Sequence, residues 1–434
     1  MKAQNDILLG FYGHDLTGST DALEFICRAG AKAVLFLDPP SVEQLNKYPG
    51  LNAYGIAGLS RSLTPEAMEK ELMDAFAKMN KIPTRHVHYK VCSTFDSSPE
   101  VGSIGRAIDC GATIFQNPFV PILGGMPALG RYCLFGNLFA RMGTAGGGNV
   151  YRIDRHPSMS RHPVTPAKES DLRLHLGSQT KKRFGLVDIN VIEGNSGKWN
   201  QHIQEDTEVV LLDVLNDEHL RKIGKWLGSQ YVGRPLFSVG SSGIEMALGD
   251  FWNSVGLLEK PRTWSAIERA DPLLVVSGSC SPVTIAQIDY AKSNGFTEFI
   301  LDIEKIGKDG LSEKSLIETV NSLLIKRKDV IVHTGKKDRE NISSKILGKV
   351  LGTIAREAVE KAGVKRVVVA GGDTSSYAAR AMQVEGLEMI APLVPGAPLC
   401  RAYSENRAIN GLEVNLKGGQ VGGEDYFQVL KNGM

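Results

Sequence analysis

No Cys-x-x-Cys pair occurs in this sequence; its six cysteines (27, 92, 110, 133, 280 and 400) are scattered over 434 residues. That spacing argues against a disulfide frame or a zinc site and fits free thiols in a reducing cytoplasm. No apolar run approaches the ~18 residues of a membrane span. The opening "MKAQNDILLGFYG" has no long apolar segment behind a basic head, so no secretory signal is expected. An excess of one charge is missing too. Fifty Lys and Arg stand against 48 Asp and Glu, a formal net charge of +2. Basic residues gather only in short clusters such as Lys181-Lys182-Arg183, which leaves no footprint for nucleic acid. Repeats of fixed period and low-complexity tracts are likewise absent. What is present, 42% apolar and 23% charged residues, suits a soluble globular protein, and the length predicts two domains.

Short β-rich runs alternate with amphipathic stretches of helix length almost throughout. The runs include "DILLGFY", "AKAVLFL", "RHVHYKV", "EVVLLDV", "PLLVVSG", "EFILDI", "DVIVHTG" and "KRVVVAGG". Helices are predicted over 66–78, 216–227, 281–293, 340–362 and 374–384. This rhythm belongs to βαβ units, and runs apolar at nearly every position belong to strands covered by helices on both faces. The fold class is therefore α/β, with two domains, each a mostly parallel sheet flanked by helices. The Gly-, Pro- and Arg-rich stretch 118–180 reads as long surface loops. A weak zone at 255–271 reads as the junction, giving domains 1–255 and 271–434.

Three segments share one grammar of strand, glycine turn and helix. They are "LLGFYGHDLTGSTDALEF" (8–25), "LLVVSGSCSPVTIAQIDYA" (273–291) and "RVVVAGGDTSSYAARAM" (366–382). In the second, Ser281 is the expected N-cap and Pro282 the first helical residue. Ligands of doubly wound folds sit at the carboxyl ends of strands, where helix N-termini offer N–H groups to anions. A further glycine loop, "NLKGGQVGGEDYF" (415–427), adds to a phosphate cradle in the C-terminal half. Other nucleotide signatures fail. "GNSGKWN" (194–200) is too short for a Walker loop, and Gly10, Gly13 and Gly18 lack the dinucleotide spacing although Asp38 ends the next strand. For each turn taken alone, Asp and Ser as plain helix caps remain the alternative.

The order of "GHDLTGSTDALEFICRAG", "GSSGIEMAL", "SGSCSPVTIAQI", "AGGDTSSYAARAM", "VPGAPLCRA" and "LKGGQVGGEDYF" resembles the four-carbon acid sugar kinase family over essentially the whole chain. The resemblance implies an ATP-dependent kinase of 3-oxo-tetronate, threonate or erythronate type, acting on a terminal hydroxyl. It implies a sugar-acid-binding N-terminal domain, a nucleotide-binding C-terminal domain and an active site in the interdomain cleft. Carried over, ATP falls at Ser279, at Gly371, Gly372, Asp373 and Thr374, and at Gly418 and Gly419. The sugar acid falls at His14, Asp15, Thr17, Gly18, Ser19, Lys90, Ser93, Thr94 and Arg131, with Asp15 as the catalytic acid or base. Mg²⁺ is expected with the phosphates, its protein ligands unassigned; a homo-oligomer is compatible with the resemblance.

Two departures stand out. His14 precedes Asp15 where the family has a second aspartate. In "KVCSTFDSS" Cys92 replaces an acid and Asp96 an arginine, which places an anion where a substrate carboxylate would want a cation. The opening is most similar to kinases of 3-oxo-isoapionate, a branched acid sugar. His14 is equally readable as a partner of backbone groups. His156 and His162, among Arg152, Arg155 and Arg161, could meet an anion or be solvated. The competing readings are a nucleotide-binding sugar-acid sensor without turnover and a nicotinamide-dependent dehydrogenase.

Overall fold

A computed structural model describes residues 7–142, 148–259, 263–264, 266–302, 314–335 and 343–433, with the Asp373 side chain outside the described set. Chain contacts divide it into two units, Met1–Val34 with Asp38–Arg262, and Leu35–Leu37 with Thr263–Met434. All eight apolar runs named above form strands. No helix among the described residues is long and apolar enough to cross a membrane.

In the first unit the strands are β1 (Ile7–Gly13), β2 (Ala33–Phe36, shared with the second unit), β3 (Ala53–Ala57), β4 (Thr84–Lys90), β5 (Val120–Leu123), β6 (Arg131–Leu134), β7 (Asn137–Arg141), β8 (Val150–Arg152), β9 (Phe184–Val187), β10 (Val209–Leu212) and β11 (Leu236–Gly240). The order β3-β1-β4-β11-β5-β10-β9 is parallel at every pairing. Parallel neighbours need crossovers, and helices such as Leu16–Arg28, Pro65–Met79 and Ile104–Phe115 supply them. Phe76, Phe115 and Phe237 meet in the core, with ring centroids 5.2 to 5.8 Å apart. Each buried ring contributes roughly 1.5–3 kcal/mol. Gly111 fits because a Cβ there would strike the Phe237 ring at 2.1 Å.

The 118–180 stretch corrects the expectation of loops. It carries β5 into the parallel sheet, and β6, β7 and β8 form a small antiparallel sheet of their own. Glycine and proline diluted the apolar signal there without preventing strand pairing.

In the second unit the strands are β12 (Leu274–Ser277), β13 (Thr297–Ile300), β14 (Val330–His333), β15 (Arg366–Ala370), β16 (Gly386–Val394), β17 (Ala397–Tyr403) and β18 (Glu413–Lys417). The order is β13-β14-β12-β15-β18-β17-β16, parallel as far as β18 and antiparallel beyond it. Val275, Ile331 and Val368 from three parallel strands share a core with Phe296, Tyr426 and Phe427. Ser281 does cap helix Pro282–Ser293, accepting from Thr284 N–H. The predicted helix 374–384 begins earlier, at Gly372, because Gly371 takes the N-cap position. Of the predicted 340–362 helix, Ser344–Ala362 is observed, and 340–342 lie outside the described residues.

Candidate active site

Strand β1 ends at Gly13, and Asp15 then caps helix Leu16–Arg28. Its Oδ1 accepts the Gly18 N–H at 2.6 Å. A Cβ on Gly18 would lie 2.7 Å from that oxygen, so glycine is what lets the carboxylate tuck in. The other oxygen, Oδ2, accepts Arg61 Nη1 at 2.6 Å, and Arg61 Nη2 reaches Asp96 Oδ2 at 2.8 Å. Two buried carboxylates are thus joined through one guanidinium. Arg61 keeps about a quarter of its side-chain surface, 24%, while Asp15 and Asp96 keep 6% and 5%. Arg61 is therefore the least buried side chain of the three.

Burial alone would raise the Asp15 carboxyl. The neighbouring His14 ring, the Arg61 guanidinium and the Gly18 N–H together hold it well below the usual carboxylate range. Burial pushes His14 down to about 4, helped by Arg61 and Lys90. The ring is neutral near pH 7, which leaves Arg61 as the cation that matters to Asp15. His14 Nε2 accepts the Cys92 N–H at 2.9 Å, which puts the ring proton on Nδ1. The histidine that departs from the family pattern therefore ties the β1 turn to the turn after β4.

Lys90, at the end of β4, is 1% exposed and its Nζ meets Asp21 Oδ2 at 3.0 Å and the Val91 carbonyl at 2.9 Å. Burial would lower it, but Asp21 and Glu245 raise it, so it is a fixed cation beneath the turn. Ser19 lies inside helix Leu16–Arg28 and donates to the Asp15 carbonyl at 2.6 Å, while Thr20 donates to the Thr17 carbonyl. Of the hydroxyls around Gly18, Ser19 and Thr20 thus serve the helix, and Thr17 stands half-buried beside it. Ser93 and Thr94 are half-buried on the turn that carries Asp96, and Cys92 Sγ contacts Thr94 Oγ1 at 3.0 Å. Arg131 Nη1 donates to the carbonyls of Leu129 at 2.8 Å and Arg141 at 3.2 Å. Four buried polar atoms around this turn have no hydrogen-bond partner: His14 Nδ1, Asp21 Oδ1, Asp96 Oδ1 and Arg131 Nε.

Sequence reasoning missed Arg61. The anion at position 96 is not an uncompensated negative charge; its counter-charge arrives from the turn after β3. His156 and His162 accept backbone N–H groups of Ser158 and Thr165, and Arg152 pairs with Asp154 at 2.6 Å. These side chains build their own turns.

In the second unit three strand ends converge. Gly371 N–H donates to the Lys417 carbonyl and Gly278 N–H to the Ala370 carbonyl, both at 2.9 Å. Ser281 Oγ and Thr284 Oγ1 both donate to the Gly419 carbonyl, the latter at 2.8 Å. A Cβ on Gly419 would lie 2.6 Å from Ser279 Oγ. Gly371, at φ 130°, would bring one to 3.3 Å of the Ser279 nitrogen, so both glycines keep the cradle open at a conformation or distance other residues resist. Thr374 Oγ1 lies 2.5 Å from where a Gly278 Cβ would be. Ser279, Gly371, Thr374 and Gly419 thus lie close together, with Gly372 and Gly418 adjoining them in the chain and the Asp373 backbone in the first helical turn. Helix Gly372–Ala381 has no side-chain cap, so its first-turn N–H groups remain for an anion.

An acid–guanidinium chain thus stands at the end of a parallel strand in the first unit, and a glycine cradle at three strand ends in the second. The chain belongs to the four-carbon acid sugar kinase family: a sugar-binding N-terminal domain matches residues 9–248 and a nucleotide-binding C-terminal domain residues 274–427. It is 40% identical to the 3-oxo-isoapionate kinase of Paraburkholderia graminis over 98% of this chain and 94% of that protein. It is 25% identical to the 3-oxo-tetronate kinase of Brucella melitensis, over 98% and 95%. Among solved structures, a Salmonella typhimurium LT2 protein shares the fold with a TM-score of 0.77 at 23% identity, covering 97% of this chain and 98% of its own. A Haemophilus influenzae protein does so at 0.71 and 20%, with the same coverage.

Proposed function

We propose that this protein is an ATP-dependent kinase that phosphorylates the terminal hydroxyl of a short sugar acid, with 3-oxo-isoapionate preferred. The observation that carries the reading is the Asp15–Arg61–Asp96 chain, a carboxylate paired with a partly exposed arginine at the end of a parallel strand. Residues 1–255 take the sugar acid and 271–434 the nucleotide. The substrate carboxylate meets Arg61, with Arg131, Ser93 and Thr94 on adjoining turns. Asp15 accepts a hydrogen bond from the attacking hydroxyl and orients it. A carboxylate held this acidic is a weak base, so it takes the proton late, which suits the loose transition state of phosphoryl transfer. Ser279, the N–H groups of 372–374, and Gly418 and Gly419 hold the phosphates of ATP, which supplies the transferable group. No cluster of three or more His, Cys, Asp or Glu suited to a metal occurs among the described residues. Mg²⁺ bound with the phosphates would neutralise their charge. Six scattered cysteines with no Cys-x-x-Cys pair support a cytoplasmic location.

The greater identity to a 3-oxo-isoapionate kinase than to a 3-oxo-tetronate kinase, 40% against 25%, supports the branched substrate. A coupled ADP-release assay over 3-oxo-isoapionate, 3-oxo-tetronate, threonate and erythronate tests it. The branched oxo acid is expected to exceed threonate in kcat/KM by about tenfold or more, the scale of one mismatched group in a pocket. Efficient threonate turnover with none for the oxo acids would overturn the substrate assignment. Nucleotide binding without ADP release from any of the four would favour the sensor.

A further inference from the structure

Lys417 closes β18 directly before the glycine loop, and its side chain is wholly buried. Its Nζ donates to Thr284 Oγ1 at 3.1 Å, and it lies 5.6 Å from the centre of the Tyr426 ring. Thr284 Oγ1 in turn donates to the Gly419 carbonyl, and the Lys417 carbonyl accepts the Gly371 N–H. One residue therefore touches all three turns of the cradle: its backbone holds Gly371, and its ammonium holds the threonine that holds Gly419. Among the described residues no carboxylate pairs with it, unlike Lys90 with Asp21. A buried lysine without an acid is costly to retain unless a negative charge visits it.

We propose that Lys417 is the buried cation that the nucleotide's phosphates recruit, acting on them from beneath the glycine loop. The inference rests on the nucleotide reading of the second unit and adds a residue that the family pattern did not assign here. The neutral side chains packed on Lys417 are Thr284 and the Tyr426 phenol, whose hydroxyl donates to Asn415 Oδ1 at 2.9 Å. Among the described residues burial alone acts on its ammonium, and it brings Lys417 down to about 7. In the free protein the site is thus largely uncharged above neutral pH. An arriving phosphate restores the ordinary basicity, so binding takes up a proton. The sign follows: affinity is level below pH 7 and falls as pH rises above it, by up to about tenfold per pH unit for one proton.

ADP binding by the full-length protein, followed by calorimetry between pH 7.5 and 9.5 in two buffers of different ionisation enthalpy, tests this. Expected are a falling affinity and uptake of close to one proton, both abolished in Lys417→Met. Lys417→Arg, charged throughout, should bind without the pH slope. If either variant fails to fold, proton uptake by the unaltered protein still decides. Binding that is level with pH and takes up no proton would overturn the proposal, as would a slope that survives in Lys417→Met. Absence of ADP binding at every pH would instead overturn the nucleotide reading beneath it.

Discussion

Replacing Asp15 with Asn is expected to lower turnover by about 10²–10⁴, the usual cost of losing a group that handles the nucleophile's proton. Asparagine caps helices about as well as aspartate, and its Oδ1 can still accept the Gly18 N–H, so helix Leu16–Arg28 should remain. What it loses is the second anionic oxygen. Its amide would turn a donor toward the Arg61 guanidinium, which now accepts nothing and donates at 2.6 Å. The turns proposed to hold the nucleotide belong to another unit, so ADP affinity should be unchanged. Steady-state kinetics with saturating sugar acid, alongside an ADP titration, check both halves. Near-normal turnover in the variant would mean that Asp15 is a helix cap alone.

The second large effect is on stability. Arg61→Met removes the one cation between two carboxylates that are each about 95% buried. Breaking a buried pair from one side typically costs about 3–5 kcal/mol; Arg61 is a quarter exposed, so the lower end, ~3 kcal/mol, is expected. The pH dependence carries the sign. In the unaltered protein Asp15 is depressed below its unfolded value, so its contribution is present above the unfolded pKa near 4 and is lost only at more acid pH. Without Arg61, burial of the carboxylate is opposed only by the His14 ring and the Gly18 N–H, and protonation relieves the remaining cost. The deficit should therefore be greatest at pH 7 and shrink toward pH 4, as read by urea unfolding across that range. A variant as stable as the parent at pH 7 would show that the pair does not hold this turn.

The candidate residues of the two units were unequally legible. Asp15, Gly18 and the glycine turns of the second unit follow strands whose apolar runs are nearly unbroken, so strand, turn and helix could be placed in order. Arg61 stands 46 residues from Asp15 and follows "AYGIA", whose glycine and alanines conceal a strand. Once Ala53–Ala57 is known to lie beside β1, residues just beyond its carboxyl end are candidates for the same site. The β16–β17 hairpin escaped for a related reason, because Pro392, Pro395 and Pro398 interrupt its runs. Asp96 was visible but its charge was misjudged, because an anion's partner across space has no fixed distance along the chain. Lys417 shows the same limit from the other side: its position before the glycines was plain, its solitude was not.

The second unit does not consist of one continuous stretch. Leu35–Leu37 belongs to it, and within it Leu35 and Phe36 pair with Leu387 and Gly386, while the Leu37 carbonyl accepts Arg380 Nη2 at 2.7 Å. A fragment beginning at Thr263 would expose the edge of β16, the kind of open edge that invites aggregation. Exchange of the C-terminal half with that of a relative would likewise leave the new half paired with a foreign three-residue segment. The chain can be inherited as one piece far more readily than traded as two cassettes.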